Sequence, residues 1–248
     1  MHSLIHFQHN QTNKPQMKTP LFLALCLTVV SSFAQNDWNR IGNEGIISKD
    51  SIKKKGYTIL FINKDSGFST ITKQRMIDTY FKVYPKEAKR FNKETRKLVT
   101  FIIDPEYKGV AAAGGGIIRV NPKWMADHPE DLDVVTHEAM HIVQSYPGGA
   151  GPGWLTEGIA DYVRHVYGVN NEAGKWALPK FDTKHHYTNS YRVTARFLVW
   201  TEKNFNKKLV NKLDNAMRTK TYKPEIWQEL TGKTLDELWG EYTKQPTI

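Results

Sequence analysis

Apolar residues recur along this chain in two rhythms. Residues 57–62, Tyr-Thr-Ile-Leu-Phe-Ile, are almost all β-branched or aromatic and predict a strand ended by Asn63-Lys64-Asp65. Met76, Ile77, Tyr80, Phe81 and Tyr84 then follow at three- and four-residue spacing, which predicts an amphipathic helix that stops at Pro85. Residues 98–103 read as a second strand, closed by Asp104-Pro105. Residues 111–116, three alanines and three glycines, read as a flexible turn into a short third strand at 117–120. Beyond Pro129 the pattern is helical almost to the end. Gly232 marks the stop of one helix, and Thr234 with Glu237 forms a capping box for the last. Strands first and helices after predict an α+β fold, with a small twisted N-terminal sheet beside a helical C-terminal half.

Composition narrows the classes. With 248 residues, 40% of them hydrophobic, the chain is neither disordered nor fibrous. Its single cysteine excludes a disulfide scaffold and a cysteine-ligated metal cluster. The net charge is +10, yet runs such as Lys53-Lys54-Lys55 and Lys207-Lys208 are dispersed. They lack the basic stripe with interleaved aromatics that nucleic-acid binding needs, so no nucleic acid is expected as a partner. A weak attraction to anionic cell-surface polymers stays open.

Met17-Lys18-Thr19-Pro20 leads into an apolar run at 21–30 and then Ser31-Ser32-Phe33-Ala34. This is the pattern of a secretory signal cleaved after Ala34, with residues 1–16 as an upstream extension. The run is too short to cross a bilayer comfortably as a mature helix, and no later stretch is apolar enough for a span. The expectation is therefore an exported protein, periplasmic or secreted, in which residues 35–248 form one domain. Cys26 would leave with the leader.

Chemistry concentrates between Asp131 and Tyr167. His137-Glu138-Ala139-Met140-His141 is an HExxH sequence. On a helix, residues four apart lie about 40° apart around the axis, so both imidazoles can face one metal ion. Glu138 is turned about 100° from His137, at the edge of that face, where it can reach water beside the metal. Leu132, Val135, Ala139, Ile142 and Val143 gather on the opposite side as a core face. Two buried, hydrogen-bonded histidines would give the same pattern, and a third ligand decides between the readings, because a catalytic zinc usually has three protein ligands and one open position. Glu157 meets that need, with fifteen residues between it and His141 and a glycine-rich stretch at 147–153 that lets the chain reverse. Asp161, four residues further, can hold a ligand imidazole in one tautomer.

His137-Glu138-x-x-His141 followed by Glu157-x-x-x-Asp161 resembles the gluzincin pattern of thermolysin-like and aminopeptidase-like zinc metallopeptidases. Residues 153–164, 191–198 and 231–239 look more closely like the plant basic secretory protein family, which has bacterial members and whose proteins are regarded as secreted peptidases. The likeness covers the chain from about Tyr57, strongly after Asp131. It implies a zincin-like domain with Zn2+ held by His137, His141 and Glu157, Asp161 behind them, and Glu138 as general base in peptide hydrolysis. Tyr191, which opens a helix after Ser190 as a tyrosine does in aminopeptidase-like gluzincins, is the candidate to stabilise the oxyanion. Tyr187, His185 and His186 are its rivals, and packing against Ala195 and Leu198 is its structural alternative. Zincins hold an extended peptide along a sheet edge, which makes Ile117, Ile118 and Arg119 candidate substrate contacts; a plain edge strand is the equal alternative. The substrate expected is a peptide or protein. Two competing readings are a secreted binding or defence protein with a non-catalytic zinc, and a peptidase specialised for glycopeptides.

Overall fold

The computed structural model describes residues 41, 42 and 44–248; the expected leader and its cleavage point lie outside the described residues. The chain divides after Gly42, and the unit from Asn43 to Ile248 holds every described element. Five strands form one mixed sheet in the order β1-β2-β3-β5-β4. These are β1 (Ser48–Lys54), β2 (Tyr57–Asn63), β3 (Leu98–Ile103), β4 (Ala111–Gly114) and β5 (Ile117–Val120). Two hairpins flank a parallel centre: β1 pairs antiparallel with β2 and β4 with β5, while β2–β3 and β3–β5 run parallel. Lys55-Gly56 and Gly115-Gly116 close the hairpins with positive φ at both residues, 54° and 79° in the first, 61° and 92° in the second, the twist such two-residue turns require.

Between β2 and β3 runs α1 (Thr70–Arg90), capped by the Ser69 hydroxyl, which accepts from the Thr72 N–H. Its Met76, Tyr80 and Tyr84 are fully buried, and Tyr80 meets Phe101 of β3 edge to face at 5.5 Å. The helix passes through Pro85 instead of stopping there. Proline removes the bond to the carbonyl four residues back, and here the Lys55 ammonium, from the first hairpin turn, donates to that carbonyl of Phe81 at 3.2 Å. α1 also buries Glu87 completely, with neither carboxylate oxygen hydrogen-bonded within the protein. Burial drives its pKa well above the ordinary value, which favours the neutral acid.

The helical half follows as expected for an α+β chain. A short α2 (Pro122–Asp127) precedes α3 (Val134–Gln144), and α4 (Gly153–Tyr167) lies against it. After a 3₁₀ turn (Tyr187–Asn189) come α5 (Tyr191–Asn204), α6 (Leu209–Arg218), α7 (Ile226–Thr231) and α8 (Leu235–Lys244). Gly232 ends α7 in the left-handed conformation, and Thr234 and Glu237 cap α8 reciprocally. Trp200, Trp227, Trp239, Tyr242 and Phe197 pack into an aromatic cluster that stabilises this half. The α4–α5 crossing is tight: a Cβ at Gly158 would collide with the Thr194 methyl. Among the described residues no helix is long and apolar enough to cross a membrane.

Two expectations about the sheet do not hold. Residues 111–114 are a strand, not a flexible turn, and that strand is one of the sheet's two edges. The strand bearing Ile117, Ile118 and Arg119 is interior, hydrogen-bonded on both sides by β3 and β4. Ile117 and Ile118 are buried, and Arg119 pairs with Asp104 at 2.7 Å. The reason is the Gly115-Gly116 hairpin, which folds the alanine run back over β5.

Candidate metal centre

Helix α3 is almost wholly buried, with His141 its one half-buried residue. Its N-terminus is held by the Asp133 carboxylate, which accepts from the Thr136 hydroxyl at 2.7 Å and from the Val169 and Asn170 N–H groups at 2.8 and 2.5 Å. α4 crosses it after the glycine-rich loop and delivers Glu157 and Asp161 to the imidazole face.

The geometry assigns both tautomers. His137 Nδ1 lies 2.7 Å from Asp161 Oδ1, and His141 Nδ1 lies 2.7 Å from Gln144 Oε1. Both partners are acceptors, so each Nδ1 carries the hydrogen. The two Nε2 atoms are left facing each other at 3.1 Å, with Glu157 Oε2 3.3 Å from one and 3.4 Å from the other. Two nitrogen lone pairs this close repel unless a cation lies between them or one takes a proton. One ligand atom from each of His137, His141 and Glu157 lies within 4.8 Å of the others, a set that could hold a metal ion. Two imidazoles and one carboxylate suit zinc chemically.

Electrostatics point the same way. Burial alone would lower the His137 pKa, but the carboxylates of Asp161 and Glu157 outweigh it and raise it to about 10. Burial would raise Glu157, yet the two imidazoles beside its Oε2, wherever either takes up a proton, hold it well below the ordinary carboxylate range. The pocket therefore attracts positive charge. Beside it Glu138 is 6% exposed, and its Oε2 has no hydrogen-bond partner within the protein. Burial raises its pKa, partly offset by the two histidines.

These groups open onto a cleft of about 1260 Å³ that runs along α3. Tyr191 lines it, 54% exposed, its ring stacked on His137 with centroids 6.1 Å apart. It is not a core aromatic. Ser190 and Tyr191 both adopt positive φ, 65° and 49°, where the chain turns into α5. The negative charge of Glu157, then burial, raises the Tyr191 pKa, so its hydroxyl keeps its proton. The rivals are engaged elsewhere. Tyr187 donates to Asp236 at 2.8 Å and packs on Trp154; His185 accepts from the Asp182 N–H; His186 caps the 3₁₀ turn. None of the three lines the cleft, and neither do Ile117, Ile118 and Arg119.

Several site residues escape sequence reasoning. Gln144 is one: besides accepting from His141, its amide donates to the Thr156 carbonyl at 2.9 Å, joining one ligand segment to the residue before Glu157. Its signal was its place three residues after His141, on the same helix face. Tyr107, Trp124 and Trp176 also line the cleft, and no local pattern marks them.

Among solved structures the chain is similar to an M1 zinc metallopeptidase from Deinococcus radiodurans, at 11% identity and a TM-score of 0.45 over 81% of this chain and 49% of that one. An aminopeptidase N family protein from Idiomarina loihiensis gives 11% and 0.42, over 81% and 44%. The chain thus spans about half the length of the solved structures it matches. No curated protein matches its sequence. Residues 57–242 match the BSP family, described as peptidase of plants and bacteria, and the chain belongs to that family.

Proposed function

We propose that the protein is an exported zinc metallopeptidase that hydrolyses peptide bonds with Glu138 as general base. The observation that carries this reading is the convergence of two imidazole Nε2 atoms and the Glu157 carboxylate beside an unpartnered glutamate oxygen, in an open cleft. His137, His141 and Glu157 would hold zinc; what the ion supplies when bound is Lewis acidity, which makes water a better nucleophile and polarises a carbonyl.

The remaining roles belong to the chain. Asp161 and Gln144 keep the imidazoles oriented with Nε2 inward. Glu138 accepts a proton from the attacking water and passes it to the leaving amine; its raised pKa suits a group that must do both. Tyr191, exposed and protonated above His137, donates to the developing oxyanion. The edge strand β4 takes the place first expected of β5: it lines the cleft, and its small side chains leave room for an extended substrate.

The test is direct. Purified protein should contain about one zinc per chain, cleave an unfolded protein, and lose that activity to a chelator. Glu138→Gln should keep the metal and slow turnover by roughly 10²–10⁴-fold; full activity in that variant removes the assigned mechanism. Exported protein should begin at Gln35, which N-terminal sequencing reads.

A further inference from the structure

We propose that the end of the cleft beyond the N-terminus of α3 is a binding subsite for an aromatic side chain of the substrate, walled by Trp124, His128 and Trp176. The inference rests on the peptidase reading and adds which residue a substrate carries, and how far from the scissile bond. The wall stands at a measurable remove. Arg164, which supports it, follows Glu157 by seven residues on α4, about two turns or roughly 10 Å along the axis. An extended peptide advances about 3.3 Å per residue, so a residue about three positions from the scissile bond reaches this wall.

The buried charges behind the wall are already paired with each other. Asp131 pairs with Arg164 and accepts from Trp124 Nε1 at 2.9 Å. The Arg164 guanidinium lies 4.6 Å from the Trp176 ring centroid, and Trp124 and His128 stack at 3.9 Å. What remains for a ligand is chiefly ring surface, with the Trp176 indole N–H at its rim, and such a surface favours another aromatic ring in offset or edge contact. The wall is also preformed. Asp133 fixes the backbone at Val169 and Asn170, and a Cβ at Gly174 would lie 2.9 Å from the Glu130 carbonyl oxygen, so the segment rests backbone against backbone on the approach to α3. Lys175 is the one cation at this end without an ion-pair partner among the described residues, and it is exposed, where salt weakens its pull on an acidic group.

Calorimetric titration of zinc-loaded Glu138→Gln protein with Gly/Ser peptides, in which a single Phe, Glu or Ala is scanned through the sequence, tests the subsite without turnover. Phe should bind roughly ten- to a hundredfold tighter than Ala at one position. Cleavage mapping with the wild type should place that position about three residues from the cut. Trp176→Ala should erase the Phe preference, Trp176→Phe should retain it, and Lys175→Ala should leave it intact. Equal affinity for Phe and Ala overturns the subsite, as does a preference for Glu that Lys175→Ala removes, or a Phe preference that survives Trp176→Ala in folded protein. If the wild type cuts no peptide, the peptidase reading falls, and the titrations still decide the subsite by themselves.

Discussion

Gln144 shows how much one uncharged side chain can do at this site. It fixes the His141 tautomer and, through the Thr156 carbonyl, the position of Glu157. Gln144→Leu should weaken zinc binding about 10–100-fold, read by competition with a chromophoric chelator. Gln144→Glu, which can accept from His141 but not donate to Thr156, should recover part of the loss. The proposed ligands and base were legible in the sequence because His137, Glu138 and His141 sit within one helical turn and a half, and Glu157 follows a loop that must reverse. Gln144 was not, because a glutamine on a helix is ordinary until its partner across the loop is known. Tyr107, Trp124 and Trp176 depend wholly on tertiary approach.

Secondary structure failed to read out where distant groups intervened. Pro85 carries a local instruction to end α1, and Lys55 overrides it by taking the orphaned Phe81 carbonyl. Lys55→Met should destabilise the protein by about 1 kcal/mol in urea unfolding, and should lose that effect when Pro85 is replaced by Ala. β1 is mostly lysine, serine and aspartate; it is a strand through its pairing with β2, and its charges suit a sheet edge. The C-terminal helices are tied to the α3–α4 loop by Asp214, fully buried, which accepts from Tyr146 at 2.9 Å and pairs with Arg218 at 2.5 Å. Burial, against the pull of Arg218, raises the Asp214 pKa from 3.8 to about 6. Its stabilising contribution is thus fully present below pH 3.8 and is lost as pH rises through about 6. Asp214→Asn should remove about 3 kcal/mol of pH-dependent stability across that window; wild-type and variant unfolding curves at pH 4 and pH 7 give the comparison.

At the scale of the molecule, the proposed metal ligands span two helices, so an ion held there binds the folded chain and not the unfolded one. Free zinc at a thousandfold above its Kd should add about 4 kcal/mol, or roughly 10 °C in Tm for a domain of this size. Calorimetry before and after chelation measures it, and an unchanged Tm argues against zinc at this site. The α+β division was visible in the order of strands and helices, since all five strands lie before Asn121 and every helix except α1 lies after it. The path of residues 168–176 was not. That stretch is nailed at both ends, by Asp133 at its start and by the close approach of Gly174 at its finish. An inserted residue there would tear out a fixing point beside the cleft, whereas the chain just after Trp176 is next held by side chains alone, Leu178 and Phe181 against the C-terminal aromatic core, and should accept extra length between Trp176 and Leu178. Grafted loops or affinity handles placed after Trp176 would thus offer a way to lengthen the cleft without unseating the helix that holds its histidines.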